Sequence, residues 1–224
     1  MLFKTHNQPF KLQSGGHDFE CNSISTTAVI SFALLNQVTP DFDQETITVG
    51  AGARWQDVYA HTWGTEWEVM GGMCPWVGVG GFLSGVGFNW KLSPIYGSGA
   101  GNVLSMRGVL ADGSIVEMNP DNQYSDLMKG MLGAGGQNFA AATQFTLKLH
   151  NYSKKYYSLM RLYYIFEDNS DEANAKPLDE MPATLAAWAE FFDARRAGGD
   201  EGYGGQSIII IRPDMNRRRF MIGI

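Results

Sequence analysis

The sequence has few of the residues that build disulfide frameworks, metal sites or nucleic-acid surfaces. Its 224 residues include two cysteines and four histidines, and these do not follow the spacing of zinc ligands. Two cysteines are also too few for a disulfide framework. The net charge is −6, and no basic stripe runs along the chain that would track a phosphate backbone. The composition therefore predicts neither a metal site nor a nucleic-acid partner.

Long apolar runs and several familiar motifs are lacking as well. The longest apolar runs are far shorter than the ~20 residues that a membrane-spanning helix needs, so no membrane partner is predicted. No apolar segment follows Met1, and no signal peptide is visible. The glycine patterns of a Rossmann site, a P-loop and a serine-hydrolase elbow are absent. The 44% of hydrophobic residues is nevertheless enough for a sizeable core.

What the chain has in excess is glycine, which occurs in clusters. Seven of the 17 positions from Gly71 to Gly87 are glycine, and a shorter turn runs from Ser14 to Asp18. Glycine adopts positive φ and lets a backbone lie close to a ligand, and successive N–H groups in such turns bind anions. His17 lies in the first cluster and Cys74 in the second. The pattern predicts a phosphate-bearing cofactor beside reactive side chains.

The residue types alone leave several interpretations of the reactive side chains open. His17 is also compatible with a hydrogen bond inside its turn, and Cys74 with a small buried hydrophobic residue. A Cys74–His17 nucleophile pair requires the two side chains in contact and a setting that stabilises the thiolate. Cys21 is expected to be buried and inert, and Arg217–Arg219 to form a solvated end.

Periodicity and turn residues predict an α+β chain that changes character after His150. In the first part we expect a helix over Arg54–Thr62, a loop-rich region over 71–101, a hairpin around Asp112-Gly113 and a half-buried strand over Phe139–His150. In the second part we expect an aromatic strand, a helix that begins at Pro182 and ends at Gly198-Gly199, and an apolar strand over Gln206–Arg212.

Four segments, in this order, resemble the FAD-binding (PCMH-type) domain of the vanillyl-alcohol oxidase superfamily, most closely its berberine-bridge-enzyme-like branch. They are Gln13–Glu20, Val49–Ala53, Cys74–Gly81 and Gly135–Phe139, the last leading into Phe145–Leu149. The resemblance covers roughly residues 8–150. It implies that residues 1–150 form an FAD-binding domain, incomplete at its N-terminus. Residues 151–224 would then begin a substrate-binding domain built on an antiparallel sheet with helices.

The resemblance implies FAD as the cofactor, with a small molecule as the substrate. Ser14, Gly15 and Gly16 would wrap the diphosphate, His17 would attach the flavin through its 8α methyl group, and the Cys74 sulfur would add a second bond at C6. The implied cofactor-binding residues are Ser14, Gly15, Gly16, His17, Asp18, Cys74, Val77, Gly78, Gly80, Gly81, Gly85, Gly87, Phe88 and Ala141. No catalytic residue and no metal ligand follow from it.

The resemblance further implies an FAD-dependent oxidoreductase that oxidises an alcohol, sugar or amine carbon, with O2 as the acceptor. A non-catalytic FAD-binding fragment and a noncovalent flavin reductase of the same superfamily remain alternatives. Phe82 replaces a common histidine, and Ala140–Ala142 replaces Gly-Ile-Val. Because the family's domains extend beyond both ends, we expect an internal piece of an oxidase. We expect it to be poorly folded alone, with the Ile208–Ile211 strand lacking most partners.

Overall fold

The computed structural model describes residues 6, 8–133, 138–151, 163–167, 180–197, 208–214 and 217–223. The chain divides into two compact units, residues 1–153 and 154–224. Helices occur together with mainly antiparallel sheets, so the predicted α+β class is confirmed. Within these described ranges, no helix is both long enough and apolar enough to cross a bilayer.

The first unit contains eight strands and four helices in the part of the chain that is described. In chain order they are β1 (Lys11–Gln13), β2 (Val29–Ser31), β3 (Val38–Asp41), β4 (Thr46–Gly50), α1 (Trp55–Thr62), β5 (Trp67–Val69), α2 (Val79–Ser84), α3 (Ser93–Tyr96), β6 (Val103–Val109), β7 (Ile115–Met118), α4 (Ser125–Met131) and β8 (Ala141–Asn151). A six-stranded antiparallel sheet has the order β3-β4-β8-β6-β7, and β5 pairs with the end of β8. Strands β1 and β2 form a separate parallel pair.

Alternating side chains on β4 and β8 build the centre of the core. Ile47 lies opposite Leu147 and Val49 opposite Phe145, and all four side chains are fully buried. Burial of each such side chain contributes about 1.5–3 kcal/mol. Because side chains alternate across a strand, the intervening threonines, Thr48 and Thr146, share the other face. Their hydroxyl oxygens lie 3.3 Å apart.

Several predicted elements of the first unit are confirmed. Helix α1 buries Trp55, Val58 and Thr62 along one face. The β6–β7 hairpin turns at Gly113, whose φ is +89°. Beside this turn, the Leu110 N–H group donates to the Ser114 carbonyl at 2.9 Å. The half-buried strand predicted before His150 is β8.

The prediction of a loop-rich region over 71–101 was partly wrong, because this region contains α2 and α3. Glycine inside a helix costs roughly 0.5–1 kcal/mol relative to alanine. Val79 and Leu83 of α2 are fully buried in the core. Their burial outweighs the unfavourable helix propensity of Gly80 and Gly81.

The second unit contains β9 (Tyr163–Glu167), α5 (Met181–Ala197), β10 (Ile208–Asp214) and β11 (Arg217–Gly223). The three strands form an antiparallel sheet in the order β10-β11-β9. The expectation that Ile208–Ile211 lacks most partners was partly wrong, since β10 pairs with β11 along its whole length, although it is an edge strand of the described sheet. Arg217–Arg219 belongs to β11, a strand that the sequence did not predict. The arginine run concealed the strand, although Arg219 pairs with Glu167 on β9.

Candidate functional site

Two glycine segments that are distant in sequence meet in the first unit. A Cβ atom added to Gly15 would overlap the backbone nitrogen of Gly78 and lie 2.8 Å from its Cα. A Cβ atom added to Gly78 would in turn overlap the Gly15 nitrogen and the Ser14 hydroxyl oxygen. Side chains are therefore excluded at both positions, and the two backbones lie directly against each other.

The Ala51 carbonyl connects these two segments to a third. It accepts a hydrogen bond from the Ser14 hydroxyl at 2.6 Å and another from the Gly80 N–H group at 3.1 Å. The Val79 N–H group donates to the Ala53 carbonyl at 2.9 Å. The structure thus brings together three of the four segments that carry the resemblance. In the fourth, Gly135–Gln137 lies outside the described residues.

The turn after β1 has free backbone donors. Among the described residues, the N–H groups of Gly15, Gly16 and His17 find no hydrogen-bond acceptor. Gly16 adopts the left-handed conformation, with a φ of +69°. Successive N–H groups around a left-handed residue form the concave anion sites known as nests. This turn therefore fits an anionic group such as a diphosphate.

A cavity of about 850 Å³ opens beside this turn. Cofactor and small-molecule sites are usually roughly 300–1,000 Å³ in volume. The sequence-predicted site residues that line the cavity are Ser14, Gly15, Gly16, His17, Asp18, Val77, Gly78, Gly81 and Gly85. The turn after β1 and the start of α2 therefore form its walls.

Five other predicted cofactor residues do not line this cavity: Cys74, Gly80, Gly87, Phe88 and Ala141. Gly80 is buried behind the wall, where an added Cβ would lie 2.8 Å from the Ala51 carbonyl oxygen. Gly87 has a φ of +69° and lies against the Phe82 ring, while Phe88 is exposed. Ala141 lies in β8 opposite Val109. Their contact with a cofactor stays a prediction.

His17 and Asp18 have different surroundings. The exposed His17 imidazole makes an edge contact with the Phe19 ring, with centroids 6.0 Å apart, and has no hydrogen-bond partner among the described residues. The Asp18 carboxylate accepts from the N–H groups of Glu20 at 3.2 Å and Asn22 at 2.7 Å. The Glu20 and Asn22 bonds hold the pKa of Asp18 below its usual range. Asp18 therefore organises the turn that brings Asn22 to the cavity.

The segment before α2 is fixed by α1 and the residue preceding it. The Tyr59 hydroxyl donates to the Gly72 carbonyl at 2.6 Å, and burial raises the pKa of Tyr59 above its usual range. The Arg54 guanidinium donates to the Trp76 carbonyl at 2.7 Å. The remaining bonds are from Gln56 N–H to the Pro75 carbonyl at 3.1 Å and from Trp55 N–H to the Val77 carbonyl at 3.2 Å.

Both cysteines have free, exposed side chains. The interpretation of Cys74 as a buried hydrophobic residue is therefore wrong. The expectation that Cys21 is buried is also wrong, because Cys21 lies in the turn that Asp18 organises. Cys21 has a φ of +60°, and its N–H group donates to the Asp18 carbonyl at 3.3 Å.

Sequence reasoning missed about half of the cavity wall. The missed lining residues are Phe10, Lys11, Leu12, Asn22, Ser23, Ser84, Gly133 and Asn138. Ser84 carried a usable signal, because it is a single hydroxyl in the otherwise apolar run that forms α2. Its Oγ atom is buried and has no hydrogen-bond partner among the described residues. Buried polar groups normally have one, so this wall also fits a ligand.

The comparisons with known proteins identify the family of this chain. A model of the FAD binding domain family matches residues 2–119. FAD-linked oxidoreductase pytB of Aspergillus terreus is 38% identical over 138 residues, which are 61% of this chain and 17% of that protein.

Two solved structures have the same fold. This chain superimposes on 6-hydroxy-D-nicotine oxidase from Arthrobacter nicotinovorans with a TM-score of 0.77 at 18% identity. The match covers 99% of this chain and 45% of that one. The BBE-like 1 protein of Physcomitrella patens matches with a TM-score of 0.63 at 26% identity, over 75% of this chain and 36% of that one.

The family model covers more than half of the chain, and the chain therefore belongs to the FAD binding domain family. The resemblance to FAD-linked oxidoreductases with the PCMH-type fold is confirmed. The chain spans between 17% and 49% of the length of the first curated relatives that it matches.

Proposed function

We propose that this chain binds FAD in the cavity between the turn Ser14–Asp18 and helix α2, and that it serves an FAD-linked oxidoreductase. Two observations at the same cavity carry the proposal together. The turn after β1 has N–H groups without an acceptor among the described residues, and its Gly15 backbone lies directly against that of Gly78. The Gly15 and Gly16 N–H groups would bind the diphosphate. No carboxylate other than Asp18 lines the cavity among the described residues, and Lys11 adds a positive charge there.

Bound FAD would supply the redox chemistry for oxidising an alcohol, sugar or amine carbon of a small-molecule substrate, with O2 as the acceptor. The chain's own residues bind and orient it. Gly81 lies open to the cavity, since no atom lies within 4 Å of the position of its Cβ. Phe82 and Leu12 contribute apolar surface, which excludes water from that part of the wall.

Two covalent attachments are part of the proposal. The His17 imidazole would bond to the 8α carbon of the flavin, and the Cys74 sulfur to C6. Exposure of both side chains supports this, as does the position of His17 in the cavity wall. Cys74 precedes Val77, which lines the same cavity, by three positions. The free imidazole of His17 favours attachment over a structural hydrogen bond.

We also propose that the two parts of the chain have different roles. Residues 1–150 would hold the cofactor, and residues 151–224 would begin the substrate-binding part. This assignment follows the resemblance, and the two units of the fold are compatible with it.

The experiment is to add FAD to the purified chain, record its absorption spectrum and then precipitate the protein with acid. We expect a flavin spectrum, with the colour retained in the pellet. The His17→Ala/Cys74→Ala double variant should still bind FAD but release it into the supernatant. Cys21→Ala is the matched control for an exposed cysteine and should retain the pellet colour.

Three results would contradict parts of the proposal. A chain that gains no flavin spectrum does not bind FAD. Complete release of flavin from the unmodified chain refutes covalent attachment and favours the noncovalent reductase. Complete release from Cys74→Ala alone refutes the bond to His17.

A further inference from the structure

The Ser84 hydroxyl is one of two buried polar side-chain groups that have no hydrogen-bond partner in the described part of the chain. The other is the Trp55 indole nitrogen, which lies against Gly72 in the core and does not line the cavity. Ser84 is 1% exposed, and its Oγ atom has no hydrogen-bond partner within the described part of the chain. By contrast, the buried Asn89 amide donates to the Gly71 carbonyl at 2.6 Å, and the buried Asn102 amide donates to the Tyr96 carbonyl at 2.9 Å. An unpaired buried hydroxyl is unfavourable and calls for an explanation.

The backbone around Ser84 is already paired. The Ser84 carbonyl accepts from the Gly133 N–H group at 3.0 Å, and the Gly81 carbonyl accepts from the Gly85 N–H group at 3.1 Å. Ser84 is also part of the cavity wall. Because Ser84 borders the cavity, a ligand bound there is a candidate partner for its hydroxyl.

We propose that Ser84 is a ligand-binding residue whose hydroxyl forms a hydrogen bond with an uncharged polar group of FAD. The inference rests on the proposed function. Helix α2 begins against Gly15 and ends at Ser84, so Ser84 lies roughly 9 Å along the helix from the glycine contact. A helix C-terminus carries negative partial charge. Ser84 therefore suits a neutral part of the cofactor, while the turn after β1 takes the diphosphate.

The proposal predicts opposite effects of one substitution on the free and the bound protein. Binding is measured in the His17→Ala/Cys74→Ala background, so that it is reversible. In this background, Ser84→Ala should raise the midpoint of thermal unfolding without FAD by roughly 2–4 °C, because an unpaired buried hydroxyl is removed. The same substitution should weaken FAD binding about 3- to 10-fold, measured by flavin fluorescence titration.

Ser14→Ala is the matched control, because Ser14 lies in the same wall and its hydroxyl already has a partner, the Ala51 carbonyl. This substitution should lower the unfolding midpoint without FAD. Unchanged FAD affinity in Ser84→Ala, or a lowered midpoint, refutes the role of Ser84 and leaves the proposed function intact. Absence of FAD binding in the parent background refutes the proposed function itself, and the Ser84 inference falls with it.

Discussion

The two glycine-rich segments that meet beside the cavity differ in how much of their backbone is paired. In the turn after β1, the N–H groups of Gly15, Gly16 and His17 have no acceptor among the described residues. In Gly72–Val77, the carbonyls of Gly72, Pro75, Trp76 and Val77 all accept from residues 54–59. The N–H groups of Gly72, Met73, Cys74 and Trp76 also have no acceptor among the described residues. The two segments therefore differ in their carbonyl groups, since those of Gly15, Gly16 and His17 accept no hydrogen bond from the described residues.

The difference follows from the elements that each segment meets. The first N–H groups of any helix have no acceptor inside the helix. In α1, those of Trp55 and Gln56 are satisfied by the carbonyls of Val77 and Pro75. Gly72–Val77 thus accepts the first hydrogen bonds of α1, and these bonds hold the backbone that carries the exposed Cys74 side chain. The turn after β1 has no such neighbour, and its donors remain available to a ligand.

The largest effect is expected where the two segments touch. Gly78→Ala should destabilise the fold by about 1–3 kcal/mol or more, because the new Cβ overlaps the backbone of Gly15 and neither backbone is free to yield. Gly81→Ala in the same helix is the matched control. It should be neutral or stabilise the fold by roughly 0.5–1 kcal/mol, since no atom lies within 4 Å of its Cβ and alanine favours helix.

Chemical denaturation of both variants measures these changes. If Gly78→Ala is as stable as the unmodified chain, the close contact between the two segments is wrong. FAD binding gives an independent readout for Gly81→Ala, because its methyl group projects into the cavity. Weakened binding in a protein of undiminished stability would identify this face of α2 as cofactor surface.

A smaller effect on stability is expected at Gly72–Val77. Tyr59→Phe removes the buried hydroxyl that donates to the Gly72 carbonyl, and it should cost about 1 kcal/mol, or roughly 2–4 °C in the unfolding midpoint. Tyr124→Phe is the control, because the partly buried Tyr124 side chain makes no hydrogen bond with the described residues. Equal midpoints for the two variants would show that the Tyr59 hydroxyl does not fix the segment.

The smallest effect is expected at the exposed carboxylate that organises the turn after His17. The pKa of Asp18 is lower in the folded chain than its ordinary 3.8. The contribution of the carboxylate to the stability of the turn is therefore complete above that value, and it is lost as the pH falls through the folded-state pKa. The protection of the Glu20 and Asn22 amides from hydrogen exchange, measured relative to their intrinsic rates at each pH, should fall in this acidic range. Asp18→Ala should show fast exchange already at pH 7, and slow exchange in that variant would contradict the assignment.

Much of the fold was predictable because its signals are local. The Asp112-Gly113 turn required no partner from elsewhere, and the alternation that buries Phe145, Leu147 and Leu149 on one face of β8 is visible in sequence. Helix α2 was missed because its glycines predict loop, whereas burial of its apolar residues decides otherwise. Strand β11 was missed because three successive arginines hide a strand that pairing with β9 and β10 stabilises.

The site was predictable to a similar degree, for a related reason. Ordered glycine segments indicated where a backbone approaches a ligand, and Ser14–Asp18 does line the cavity. Lys11 was not predictable, because a single lysine has no pattern around it, and the one signal for Ser84 was its position as a single hydroxyl in the apolar run that forms α2. Their place in the wall depends on how α2 and β1 pack. The exposure of Cys21 depends likewise on the turn that Asp18 holds.

The kind of site was already set by the order of the amino acids, since glycine is the residue that fits the contact between Gly15 and Gly78 and the left-handed turn at Gly16. That order also determined the strands whose hydrophobic period is regular. Which of the glycine segments has its carbonyl groups paired depends on the tertiary structure. Hydrogen-bond partners such as Tyr59, Arg54 and Ala51 come from distant parts of the chain, and folding is what brings them within bonding distance.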